Sequence, residues 1–144
     1  MHVLEVRNAE LMESLTKQAA ELGITYAAIV ALIAAVDSFT VSTNPAGDAT
    51  AHTYSHYPLP AEMTATGEIV DGKPHIHAVM AVQGDRTIGG HLHEAQLMTS
   101  FARAYVIPSE YEVGVLDGEE IVYAEVPEAP TDRARLTDTR VGLA

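Results

Sequence analysis

The chain has 144 residues, 47% hydrophobic and 19% charged, which fits a single globular domain and excludes a disordered chain. Twenty acidic residues against eight basic ones give a formal charge of −12, a surface that repels nucleic acid and anionic membranes at long range. Cysteine is absent, so disulfides, thiolate metal sites and cysteine nucleophiles are excluded.

A domain of this length buries roughly two thirds of its unfolded surface and needs no metal in order to fold, so any metal it binds is free to be functional. The opening residues, Met1 to Arg7, lack the basic start and apolar core of a signal peptide. Together with the missing cysteines this points to the cytoplasm. The basic residues form no stripe: Arg7, Lys17, Lys73, Arg86 and Arg103 are scattered singly, and Arg133, Arg135 and Arg140 sit among Asp132 and Asp138. Nucleic acid is therefore not an expected partner.

Asn8 reads as a helix N-cap, with Glu10 and Glu13 in the first turn where the helix dipole favours acids. Leu11, Leu15, Ala19 and Leu22 repeat at helical spacing and Gly23 supplies the stop, which predicts one amphipathic helix over about residues 9–22. The longest apolar run, Ile24 to Val36, is interrupted only by Thr25. Its 13 residues fall short of the about 20 needed to span a membrane. Its isoleucines and valines favour a buried strand and its alanines favour a helix; we read a buried central strand, with room for a helical turn, followed by a strand over 38–43.

Asn44-Pro45-Ala46-Gly47-Asp48 is a loop, and His52 to Tyr57 an edge strand closed by Pro58 and Pro60. Strands are then predicted over 62–70, 75–82, 88–92 and 97–107, with tight turns at Asp71-Gly72 and Gly84-Asp85, as an antiparallel meander. A last hairpin is expected over 111–116 and 121–126 around Asp117-Gly118. The polar segment after Pro127 reads as a tail or an arm on a neighbouring subunit.

Seven histidines are present, and four of them fall between residues 75 and 93. Alternate residues of a strand share a face, so His75 projects with His77, and His91 with His93. Their mutual placement depends on the turn. A three-residue loop from Gly84 to Arg86 pairs His77 with His93. A two-residue Gly84-Asp85 turn pairs His77 with Leu92, and a bulge at Gly89-Gly90 is then needed to bring His91 round. Three imidazoles with an open fourth position suit a catalytic zinc, while exposed or hydrogen-bonded strand histidines are the plainer alternative. His52 and His56, beside Tyr54 and Tyr57, read as surface residues, one of which could complete a site.

The run Lys73-Pro74-His75-Ile76-His77-Ala78, followed by Gly84-Asp85 and Ile88-Gly89-Gly90-His91-Leu92, resembles the plants-and-prokaryotes-conserved (PPC) domain in its stand-alone prokaryotic form. A weaker likeness extends over residues 4–107 and includes Thr66-Gly67-Glu68-Ile69. The resemblance implies an α+β fold, a mainly antiparallel sheet flanked by helices, and a homotrimer with its histidines near subunit boundaries. On this reading residues 1–127 are the domain and 128–144 the tail, and His75, His77 and His91 match the positions implicated in metal binding. Plant relatives join the domain to an AT-hook, but no Arg-Gly-Arg-Pro core occurs here. The sequence also departs from the family pattern: Ala95 stands where a glycine is usual, and Arg103 about where an acid is expected. Such an arginine would favour an anionic ligand such as a carboxylate, although a salt-bridged strand arginine is the simpler reading.

These observations favour a zinc-dependent small-molecule site, catalytic or sensing, held by His75, His77 and His91. Glu68, Glu94 or His93 would act as proton acceptor, and Arg103 and Tyr105 would orient the substrate. Hydrolase or lyase chemistry would follow from the metal's Lewis acidity. The alternatives are a DNA-associated regulatory module or a structural trimer without catalysis.

Overall fold

A computed structural model describes residues 1–109. Seven strands and one helix follow in chain order: β1 (His2–Glu10), α1 (Leu11–Glu21), β2 (Ala27–Val36), β3 (Ser38–Thr43), β4 (Thr53–Tyr57), β5 (Ala61–Val70), β6 (Lys73–Val82) and β7 (Arg86–Pro108). The expected sheet is present, but it is accompanied by one helix among the described residues, where flanking helices were expected. The hairpin expected around Asp117, the boundary at 127 and the tail lie outside the described residues.

All pairings are antiparallel, and β5, β6 and β7 form the expected meander. The two strands read over 88–92 and 97–107 are one, the 23-residue β7, which pairs with β6 and β3 through its first half and with β1 and β2 through its second. Because β2 pairs with both β5 and β7, the path β2–β5–β6–β7 returns to its start. Closure removes the free edges those strands would otherwise expose. Edges are carried by β1, which pairs only with β7, and by β4, which pairs only with β3 as the prolines after Tyr57 suggested.

The apolar run at residues 24–36 resolves as a strand because it can be buried at alternate positions on both sides of one kink. Ala27 and Ile29 face inward, the register shifts after Ile29, and Leu32, Ala34 and Val36 then take over the inward face. The alanines let neighbouring strands and the interior stay close. Leu11, Leu15 and Ala19 of α1 are buried against the sheet, whereas Leu22, expected on that stripe, is the exposed C-cap before Gly23 (φ +67°).

The N-cap is Glu10 and not Asn8. One Glu10 carboxylate oxygen accepts from the Glu13 backbone N–H at 2.7 Å and the other from Ala95 N–H at 3.0 Å. Asn8 instead adopts φ +50° where β1 slips its register against β7. The matching irregularity in β7 is held by Asp37, whose carboxylate accepts from the backbone N–H groups of Met98 and Thr99 and from the Thr99 hydroxyl, which lowers its pKa.

Candidate metal centre

The β6–β7 connection decides how the histidines meet. Val82 pairs with Arg86, so the loop is Gln83-Gly84-Asp85, which is neither of the two alternatives read from sequence and lies one residue earlier than the three-residue one. Gly84 (φ +83°) and Asp85 (φ +57°) supply its left-handed turn. This register places His77 directly opposite His91, with neither His93 nor Leu92 as the partner and with no bulge at Gly89-Gly90.

The same transverse row continues across the sheet, with Thr66 opposite His77, Ser42 opposite His91, and Tyr54 opposite Ser42. Glu68 pairs with His75 one step along. Inward-facing Ile76 and Ala78 are buried, which turns His75 and His77 to the outer face.

The glycines serve close approach. A Cβ on Gly90 would stand 2.5 Å from the Ser42 carbonyl oxygen, and one on Gly89 3.3 Å from that of Ala78. A Cβ on Gly67 would collide with the His75 carbonyl oxygen. The three glycines thus allow β5, β6, β7 and β3 to close up around the histidines. The bulge lies further along, at His93, where consecutive residues Val41 and Thr40 pair with Leu92 and Glu94.

One ring nitrogen from each of His75, His77 and His91 lies within 4.8 Å of the others. Ring centroids are 4.8 Å apart for His75–His91, 5.2 Å for His75–His77 and 5.7 Å for His77–His91. Three imidazoles bound to one ion at about 2.0–2.1 Å hold their nitrogens roughly 3.3 Å apart in a tetrahedral site. His75 and His77 are exposed, so their rings have room to turn toward that spacing. The residues present therefore fit a three-imidazole metal centre. It carries no thiolate, so the donors suit zinc, nickel, copper or iron alike.

Electrostatics favour the neutral form of His91, the form that can ligate a metal. The His91 pKa is lowered, first by burial and then by the proximity of His93, His75, His77 and His52. That of His93 is lowered by burial and by His52. His75 Nδ1 lies 3.1 Å from a Glu68 carboxylate oxygen, which fixes the tautomer and leaves Nε2 for a metal.

An open cavity of about 670 Å³ sits over the triad, walled by Ser42, Thr43, Asn44, His52 and Thr66 and floored by Ala78, Val79 and the two glycines. A recess of about 300 Å³ adjoins it beside Glu68, His75 and His77. His93 lies beside the cluster, its ring 4.5 Å from that of His91 and its Nε2 2.8 Å from the Ser42 hydroxyl. The Tyr54 ring packs on His93 at 4.7 Å.

Neither Glu94 nor Arg103 lines either space. Glu94 accepts from the Gln96 side chain at 2.9 Å. Arg103 is bound to Glu5 at 2.8 Å and lies over the Phe101 ring, the salt-bridged strand arginine of the simpler expectation. His56 meets the Thr40 hydroxyl and is absent from the cavity wall. Ser42 and Tyr54 gave no sequence signal, because their place follows only from pairing with strands distant in sequence.

Among the described residues, a closed antiparallel sheet with one helix and a histidine triad on its outer face defines a recognisable class. The chain belongs to the Plants and Prokaryotes Conserved (PCC) domain family, which it matches over residues 1–109. No curated protein matches it. Among solved structures it is similar to a metal-containing protein from Archaeoglobus fulgidus, 25% identical, with TM-score 0.65 over 77% of this chain and 80% of that one. It is also similar to a plant- and prokaryote-conserved (PPC) protein from Pyrococcus horikoshii, 16% identical, with TM-score 0.63 over 83% and 92% of the two chains. A third, from Ralstonia eutropha JMP134 and described as a proposed DNA-binding protein, is 24% identical with TM-score 0.61 over 75% and 77%.

Proposed function

We propose that this protein binds one divalent metal ion, zinc foremost, through His75, His77 and His91, and uses it to act on or sense a small molecule. The observation that carries the reading is the convergence of three imidazole nitrogens within 4.8 Å in the lining of an open cavity. The metal-containing relative from Archaeoglobus fulgidus adds support. A bound ion would supply Lewis acidity toward a carbonyl or a water, the basis of hydrolase or lyase chemistry.

In this reading Glu68 orients His75 and accepts its Nδ1 proton, a positioning role. Glu68→Gln is expected to weaken zinc binding by about 10–100-fold, as loss of a partner behind a ligating histidine generally does. Calorimetric titration of metal-free protein checks this, with about one ion per chain expected for the unaltered protein. Fewer than a third of an ion per chain would remove the proposal.

We also propose self-association as a homotrimer. Val30, Ile33, Val79 and Ile107 stand exposed on the outer face of β2, β6 and β7, and Ile33 and Val79 flank Thr64 in one cross-strand row. Apolar side chains grouped on a sheet surface suit contact with another copy. Sedimentation velocity is expected to give the mass of three chains; a monomer would remove the trimer and leave the single-chain site standing.

The DNA-binding reading attached to the Ralstonia relative has little support in this chain. Arg7 and Arg103 share Glu5, Lys17 lies 4.0 Å from Glu21, and the net charge is −12. No helix of the described residues is long and apolar enough to cross a membrane.

A further inference from the structure

We propose that the cavity takes a small oxyanion, a carboxylate or a phosphate, and that His52 is the side chain that holds it by donating a ring N–H to one of its oxygens. The proposal rests on the metal reading above and gives that site its ligand class.

Charge balance comes first. Three neutral imidazoles leave a divalent ion's charge uncompensated, and among the described residues the cavity wall carries no aspartate, glutamate, lysine or arginine. Glu68 belongs to the adjoining recess and is engaged with His75. A ligand that brings negative charge to the ion is therefore favoured over a neutral or cationic one. Arg103, the residue that the sequence offered for an anion, is held by Glu5 outside the cavity.

Position singles out His52. Beyond the triad it is the one titratable side chain among the cavity-lining residues described. Its backbone is set by a stapled loop: Asn44 Nδ2 donates to the Ala49 and Ala51 carbonyl oxygens at 2.9 Å each, and Asp48 accepts from Thr50 and Ala51. Its ring lies 6.3 Å from Tyr54, which packs on His93, which is bonded to Ser42 opposite His91. The wall carrying His52 is thus continuous with the strand carrying a ligand. Thr43 and Thr66 add uncharged polar surface for the rest of the molecule.

The test uses full-length protein loaded with cobalt(II), whose visible absorption reports changes at the ion, titrated with acetate, inorganic phosphate and chloride. Acetate or phosphate is expected to shift the spectrum saturably, and whichever binds tighter identifies the carboxylate or the phosphate as the ligand type. His52→Ala is expected to weaken that oxyanion about tenfold, the low end for a hydrogen bond to a charged group, with cobalt uptake and chloride affinity unchanged. His52→Asn, which keeps an N–H donor, is expected to recover part of the loss. Equal oxyanion affinity in His52→Ala, a parallel loss of chloride affinity, or a spectrum indifferent to both oxyanions would each overturn the proposal. Failure to take up cobalt at all would overturn the metal reading and this proposal with it, and is told apart by the missing absorption band.

Discussion

Alanine at His77 is expected to weaken metal binding by more than about 100-fold, beyond the range assigned to second-sphere partners, while the protein stays folded. His77 stands in the transverse row between Thr66 and His91, and its ring centroid lies 5.2 Å from that of His75 and 5.7 Å from that of His91. Its side chain is exposed, so truncation forfeits little apolar burial, and surface changes of this kind usually move stability by less than about 0.5 kcal/mol. Two imidazoles cannot supply the three-ligand set that a catalytic zinc site uses. Titration with zinc and a thermal melt on the same sample separate the two effects. Unchanged affinity would mean that the triad holds no ion.

Stability is expected to respond in the opposite manner at the glycines. Gly67→Ala places a methyl group against the His75 carbonyl oxygen, and Gly90→Ala places one 2.5 Å from that of Ser42. Both obstacles are backbone atoms of paired strands, so neither can swing aside as a side-chain tip would. Overpacking costs typically about 1–3 kcal/mol, and these positions are expected at or above the top of that range. Chemical denaturation of each variant reads the loss directly. Gly47→Ala serves as the control for adding a methyl group, since a Cβ there meets nothing within 4 Å, although its φ of +88° adds some strain of its own. Wild-type stability in Gly67→Ala would show that the strands around the histidines are less closely apposed than described.

Much of this architecture was legible because local rules are strong here. The α1 stripe of Leu11, Leu15 and Ala19, the edge strand before Pro58, and the shared face of His75 and His77 all follow from periodicity or turn chemistry. Long-range pairing was not legible. The unity of β7 was hidden because its inward face changes phase at the His93 bulge and again near Met98, so one strand reads as two.

The turn between β6 and β7 illustrates the same limit on a smaller scale. Moving the loop by a single residue changes the partner of His77, and the glycine alone does not determine which residues close the loop. Gly89-Gly90 carried a true signal whose cause was mistaken: the pair permits close packing and does not bulge. His52 lines the cavity although its loop is remote in sequence from the triad, and only the pairing of β3 with both β4 and β7 brings that wall to the site.

Imidazoles from two neighbouring strands are proposed to share one ion. Anomalous diffraction from crystals of protein purified without an affinity metal, recorded on both sides of the zinc absorption edge, tests it most directly. One anomalous peak per chain is expected, bonded to nitrogens of His75, His77 and His91 at about 2.0–2.1 Å. Rings turned apart around ordinary solvent, with no peak at any candidate metal's edge even after soaking, would contradict it.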